Sequence, residues 1–152
     1  MIEATGVDLL EERVDMARDR TPGATFLACS ATAMPLDTAS FGLVTAITLF
    51  SSLPTHELEA MVASEVARVL RPGGWLVWYD LRVGNPSNAA VHGLSSRRIG
   101  ELFPGWRREL TSITLVPPVA RRLGRTTPVL YPLMHALPLA RTHLVGRLQR
   151  PS

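Results

Sequence analysis

Arg68-Val69-Leu70-Arg71-Pro72-Gly73-Gly74-Trp75-Leu76-Val77-Trp78-Tyr79-Asp80 carries the strongest structural signal in the chain. It reads as a helix end, a glycine turn and a buried strand that finishes on an acid. Upstream, Thr55 suits an N-cap, and Leu58, Met61, Val62, Val66, Val69 and Leu70 recur along one helix face. Arg71-Pro72-Gly73-Gly74 is expected to end that helix, with glycine providing the left-handed exit that a side chain resists. Before it, Leu43-Val44-Thr45-Ala46-Ile47-Thr48-Leu49 is near-continuously apolar, as a parallel strand covered on both faces should be.

The alternation extends in both directions. Residues 4–8 read as a short strand ending in Asp8, whose carboxylate can cap the helix that follows. Leu10, Val14 and Ala17 then keep helical spacing until Thr21-Pro22-Gly23, and residues 24–29 form a second buried strand. Residues 30–42 contain Pro35, show no helical period and read as a loop. Beyond Arg82 comes a polar loop over 83–93, then a short helix over 96–103 capped by Ser95, then a Thr-alternating strand over 110–116. Pro117 and Pro118 are expected to open a helix through Leu123, residues 125–141 a covering segment, and residues 142–148 the last strand. Strands alternating with helices predict an α/β, doubly wound, mostly parallel sheet, with a final antiparallel strand. Ligands of such sheets sit beyond the carboxyl ends of the strands. Here those ends are Asp8, Cys29-Ser30, Leu49-Phe50 and Asp80-Leu81-Arg82.

Composition bounds the function. The 152 residues make one domain, with residues 1–82 and 83–152 as its two halves. Hydrophobic residues at 46% and charged residues at 19% exclude a disordered chain. The single Cys29 excludes an internal disulfide and a cysteine-based zinc site. Six acids in the first twenty residues do not fit a signal peptide. No apolar run is long enough for a membrane span, so a soluble cytoplasmic protein is expected. All 16 basic residues are Arg, and they are uneven: residues 1–80 carry a net charge of −6 and residues 81–152 one of +9. A basic half can meet an anion, but these Arg are scattered rather than striped with aromatics, so no nucleic-acid partner is expected.

The segments taken together resemble a class I S-adenosylmethionine-dependent methyltransferase, a domain of the type 11-like group. Gly6-Val7-Asp8-Leu9-Leu10 is similar to the family's second strand with its terminal acid. Ser30-Ala31-Thr32-Ala33-Met34-Pro35-Leu36, running on to Ser40-Phe41-Gly42-Leu43-Val44, resembles the loop before the fourth strand. Residues 68–74 and 75–80 resemble the helix exit and the fifth strand. The resemblance implies a Rossmann-like fold and S-adenosyl-L-methionine as cofactor, with methyl transfer to an oxygen, nitrogen or carbon of a small-molecule acceptor. It implies that Asp8 grips the ribose hydroxyls, that Leu9 and Leu10 wall the adenine, that Ser30 and Ala31 meet its edge, and that Leu49 is a further cofactor-binding residue.

The chain departs from the family in three places. The glycine-rich turn and the strand before it are absent, Ser30 stands where the family usually has Asp, and the acid often found at Gly42 is missing. The absent strand normally lies between residues 4–8 and 43–49. Its loss leaves two flanking strands that either pair with each other or mark a truncated chain or a misplaced start. The exposed edges also allow self-association, and a non-catalytic interaction module is the alternative function. A nicotinamide-binding protein is a weaker alternative, because the Arg-Pro-Gly-Gly junction speaks for the methyltransferase.

Each candidate residue has a plainer reading. Asp8 can be a ribose ligand, a helix cap or both. His56, in a helix's first turn, is a general-base candidate or a surface residue. Asp80, also a catalytic candidate, and Arg82 stand at the site rim or pair with each other. Arg82, Asn85 and Asn88 are candidates to contact the acceptor, with His92 following in the same loop, or they are turn chemistry. Tyr79 reads as core, Cys29 as an inert thiol, and His135 and His143 as structural. The four His have no metal-ligand spacing.

Overall fold

The computed structural model describes residues 3–84, 88, 90–115 and 141–152. The expected helix over 117–123, the covering segment up to residue 140 and His135 lie outside the described residues. The first unit is strand β1 (Thr5–Asp8), helix α1 (Glu11–Arg20) and strand β2 (Thr25–Ala28). β1 and β2 pair in parallel, from Thr5↔Thr25 to Asp8↔Ala28. Glutamates at the start of α1 and Arg18 and Arg20 at its end suit the helix dipole. Of this unit's side chains only Val14 joins the buried hydrophobic set.

The second unit holds the core. Strand β3 (Phe41–Ile47) leads through a 3₁₀ turn (Phe50–Ser52) to helix α2 (His56–Val69), and α2 leads to strand β4 (Leu70–Leu81). Then follow helix α3 (Ser96–Leu102), strand β5 (Arg107–Leu115) and strand β6 (Arg141–Gln149). The sheet order is β3-β4-β6-β5. β3 and β4 are parallel, while β6 is antiparallel to both of its neighbours, β4 and β5. So β6 alone runs against the rest, as the α/β reading expected.

Thr55 caps α2, its Oγ1 accepting the Leu58 N–H at 3.3 Å, and Ser95 caps α3 by accepting the Arg98 N–H at 3.1 Å. Val62, Ala63 and Val66 on the apolar stripe of α2 are buried against Leu70, Leu76 and Trp78 of β4, and Val69 at its end is buried too. Phe50, Phe103 and Trp106 fill the space beside them, with the Phe50 and Trp78 rings 4.7 Å apart. At about 2–3 kcal/mol for each large apolar side chain buried, this cluster outweighs anything α1 contributes.

Two local expectations are corrected. α2 ends at Val69, and Leu70 is already extended, with φ −70° and ψ 133°. Pro72 contributes from two residues on: it has no N–H to bond the Arg68 carbonyl, and Arg71 before it is driven out of the helical region. Gly73 does adopt φ 73°, but inside a bulge of β4 that lies between the pairs Phe41↔Leu70 and Leu43↔Trp75. At α1 the N-cap position falls to Leu10, with no side-chain cap bond, and Asp8 accepts the Leu10 N–H at 2.9 Å just outside the helix.

The two units do not merge into one sheet. β1 pairs only with β2, and β3 only with β4. The two strands thus do not close on each other. Among the described residues, each leaves one edge without a ladder partner.

Candidate functional site

Between those two edges lies a cleft of about 620 Å³. β1 forms one wall and β3 the other, with Val62, Val66 and Val69 of α2 behind. Ala31, Met34 and Leu36 close it from the loop after β2. Its carboxyl-end rim is Asp8, Thr48, Leu49 and Ser52.

Asp8 reaches this rim because β1 ends there. One carboxylate oxygen is engaged by the Leu10 N–H at 2.9 Å. The other lies 3.8 Å from Arg13, a solvent-exposed pair that contributes little. A carboxylate has about four acceptor positions, so Asp8 keeps capacity for two hydroxyl donors. Ala31 and Leu49 face the same cleft and pack on the core. Leu9 instead is 72% exposed, Leu10 is 50% exposed, and neither they nor Ser30 line the cleft. Ser30 bonds within its own loop, to the Thr32 hydroxyl at 2.7 Å. Cys29 has its thiol pKa raised by burial, which suits an inert side chain.

Sequence reading missed what holds this loop. Arg68 of α2 donates to the carbonyls of Leu36 at 2.6 Å and Met34 at 2.9 Å. Glu65 accepts the Met34 N–H at 2.8 Å and pairs with Arg68 at 2.7 Å. The Arg68 hydrogen bond is the main reason that the Glu65 carboxyl sits below its ordinary range. It also missed Thr48, a β-branched residue at φ 50°, whose N–H donates to the Tyr79 carbonyl at 2.7 Å. A side chain of that shape in the left-handed region is strained, and such strain gathers at binding sites.

The end of β4 is organised by two buried acids. Asp80 is fully buried and accepts the N–H groups of Ser51 at 3.1 Å and Leu81 at 2.8 Å. It fixes the turn after β3 to the tip of β4, and no Asp80–Arg82 ion pair occurs among the described residues. Arg82 donates to the Arg141 carbonyl at 3.0 Å, tying β4's end to β6. Glu59 is also fully buried, and it gathers Arg98 at 2.7 Å, His92 at 2.6 Å and His56 at 3.1 Å. Burial alone would raise its pKa, but the hydrogen bonds from Arg98, His92 and His56, with the Arg98 charge, hold the carboxyl below its ordinary range. A buried Glu on α2's apolar stripe, three residues before Val62, was the sequence signal for this cluster.

Asn88 accepts the Ala90 N–H at 3.1 Å, while Asn85 lies outside the described residues. Tyr79, expected in the core, is half-buried, with its ring stacked on His143 at 4.9 Å and 11°. The His143 pKa is lowered by burial, against a smaller opposing effect from Asp80. Among the described residues no group of His, Cys, Asp or Glu is arranged to hold a metal, and no helix is long and apolar enough to cross a membrane. The structure thus brings Asp8, Ala31 and Leu49 to one cleft. His56, Asp80, Arg82 and Asn88 do not line it: Asp80 and Arg82 stand at the end of β4, His56 in the first turn of α2 and Asn88 in the loop after β4.

Residues 2–78 match the family model described as a methyltransferase domain. The chain belongs to the class I S-adenosylmethionine-dependent methyltransferase family. Among curated methyltransferases, the phthiotriol/phenolphthiotriol dimycocerosates methyltransferase of Mycobacterium tuberculosis is 35% identical over 100 residues. That of Mycobacterium leprae is 33% identical over 105 residues. These matches cover 64% and 62% of this chain but 36% and 38% of the relatives, so the chain spans little more than a third of their length.

Solved methyltransferases share the fold. One from Methanosarcina mazei superposes with a TM-score of 0.67 at 15% identity, covering 97% of this chain and 81% of that one. The Burkholderia thailandensis 1,6-didemethyltoxoflavin-N1-methyltransferase was solved with 1,6-didemethyltoxoflavin and S-adenosylhomocysteine. It gives a TM-score of 0.62 at 18% identity, covering 97% and 61%. At such identities the likeness is one of fold. The family's cofactor is S-adenosylmethionine. The residues present fit its nucleoside half: a carboxylate with open acceptor positions stands beside the apolar Ala31, Met34, Leu36 and Leu49.

Proposed function

We propose that the cleft takes the nucleoside half of S-adenosylmethionine and that the chain's chemistry is methyl transfer to a small-molecule acceptor. The observation that carries this is Asp8: a strand-tip carboxylate on the rim of the cleft, with one oxygen bonded to the Leu10 N–H and the other only loosely paired with exposed Arg13. When bound, the cofactor supplies a methyl group on a sulfonium, activated for in-line displacement. The protein's part is then binding and alignment. Asp8 would accept the ribose hydroxyls, and Ala31, Met34, Leu36 and Leu49 would exclude water from the ring. Ser30 would act through the loop that carries Ala31.

On the acceptor side, the Glu59 carboxylate can only accept, so His56 donates from Nδ1 and offers Nε2 as a proton acceptor. Asp80 has both oxygens committed to backbone N–H groups and acts as a positioning residue. Arg82, Asn85 and Asn88 would flank the acceptor. Its class is tested first on the compounds named by the mycobacterial relatives.

Isothermal titration with S-adenosylhomocysteine decides the cofactor reading. Native protein should bind, and Asp8→Ala should weaken binding at least about tenfold. No heat at millimolar ligand would overturn it. A second reading, a non-catalytic interaction module, draws on the open strand edges. A chain that self-associates in light scattering and binds no S-adenosylhomocysteine would favour it.

A further inference from the structure

We propose that His56 and His92 form a two-imidazole receptor for an acceptor with two neighbouring hydroxyl groups, and that His92 takes the proton of the hydroxyl that is methylated. The inference rests on the methyl-transfer reading and names its acceptor class.

One carboxylate sets both rings. Glu59 is fully buried, with its Oε1 2.6 Å from His92 Nε2 and its Oε2 3.1 Å from His56 Nδ1. A carboxylate can only accept, so His92 carries its proton on Nε2 and His56 carries its proton on Nδ1. His92 Nδ1 and His56 Nε2 are left as lone-pair acceptors, and neither has a partner among the described residues. The rings stand 6.4 Å apart at 89°. Their side chains are 73% exposed at His56 and 39% exposed at His92, so a ligand can reach both.

The pair stands next to the cofactor cleft. The His92 backbone N–H donates to the Ser51 carbonyl at 3.0 Å. Ser51 lies between Leu49 and Ser52, which form part of the cleft's rim. His56 opens α2, the element that follows this turn.

Chemistry selects the acceptor. Both Glu59 oxygens are engaged, by His92, His56 and Arg98, so the acid presents no anion to an ammonium group. Arg98 in turn is held by Glu59, Glu101 and the His56 carbonyl. What remains are two bare ring nitrogens, which call for donors. An O–H group is a donor that gains nucleophilicity when its proton is taken. Two hydrogen bonds of about 2.8 Å, together with the width of a diol, bridge rings at this spacing.

The two rings divide the work. His92 is the more shielded and lies closer to Glu59, so the charge it gains is the better compensated. Its Nδ1 takes the proton while the acceptor oxygen bonds the methyl carbon and the carbon–sulfur bond breaks, leaving its electron pair on sulfur. The imidazolium stays paired with Glu59 until water accepts the proton. His56 Nε2 holds the second hydroxyl.

Nitrogen-15 NMR of the full chain, labelled at its histidines and kept mildly alkaline, reads the tautomers directly. His92 should be the Nε2–H form and His56 the Nδ1–H form. Catechol at tens of millimolar, without cofactor, should shift His92 Nδ1 and His56 Nε2 together. Phenol should bind at least about tenfold more weakly, and 1,2-dimethoxybenzene should shift neither. His92→Gln keeps a donor for Glu59, so its urea midpoint should stay near native while catechol affinity falls at least about tenfold. The opposite tautomers, no shift with catechol, equal affinity for phenol, or native catechol affinity in His92→Gln would overturn the proposal. S-adenosylhomocysteine binding is measured separately. A chain that binds it and ignores catechol loses the acceptor proposal alone; one that binds catechol and no S-adenosylhomocysteine loses the cofactor reading alone.

Discussion

Glu59 accepts the ring N–H of His92 at 2.6 Å, across 33 positions of sequence, although the Glu59 side chain is completely shielded from solvent. The contact clamps the segment after β4 onto the first turn of α2. Arg98 adds a second clamp from α3, through Nε at 2.7 Å. Losing the acid would strand Arg98 and leave two imidazoles without their acceptor. Glu59→Gln is expected to cost about 3 kcal/mol, the scale for breaking a buried ion pair from one side. Urea unfolding should show a lower midpoint with an unchanged slope.

Stability should fall in two stages as pH drops. His143 has its pKa lowered from 6.5 by burial, so the unfolded chain takes up that proton first. Stability from this group is full above about pH 6.5 and declines as pH falls towards its folded value. Glu59 and Glu65 are held below the ordinary 4.5, the first mainly by Arg98 and the imidazoles against burial, the second mainly by Arg68. Their contribution is full above that value and is lost as pH falls through the folded pKa values. Thermal melts across the acid range should therefore show an upper limb that His143→Asn flattens and a lower limb that Glu59→Gln flattens.

Thr48→Gly should stabilise the fold by about 1 kcal/mol, because glycine accepts φ 50° without the strain a β-branched residue bears. If the strain serves ligand binding, S-adenosylhomocysteine affinity should fall in the same variant. Chemical denaturation and titration calorimetry on one protein sample separate the two effects.

Arg68→Ala should free the loop that carries Met34 and Leu36, since two carbonyls lose their donor together. Amide exchange in residues 33–39 should quicken while α3 keeps its protection. Arg68→Lys should restore this only in part, because an ammonium cannot span the carbonyls and Glu65 with one rigid fork.

The second unit was the more legible. The α2 period, its Thr55 cap and the β4 run all name their own structure, because buried apolar faces leave a regular trace. β5 begins at Arg107, three residues ahead of the expected start, because Arg107, Arg108 and Glu109 extend the strand with polar, exposed side chains. The Pro72 signal was present but misassigned: glycine drew the helix end to itself, while proline had already ended it. Asp8 at a strand tip was readable; its loss of the cap position to Leu10 was not, because both placements satisfy the same acid. The clamp on His92 needed the tertiary structure, since nothing local ties a helix's first turn to a loop thirty-three residues on.

The position of β6 inside the sheet of four bears on how the protein is made. Both of β6's edges are used, by β4 and by β5. On the ribosome, β5 emerges first and has no docking site until β6 follows and slides between it and β4. For that interval a half-built sheet shows the chaperone machinery an open flank. Variants that slow synthesis between these two strands should reduce soluble yield without altering the finished molecule.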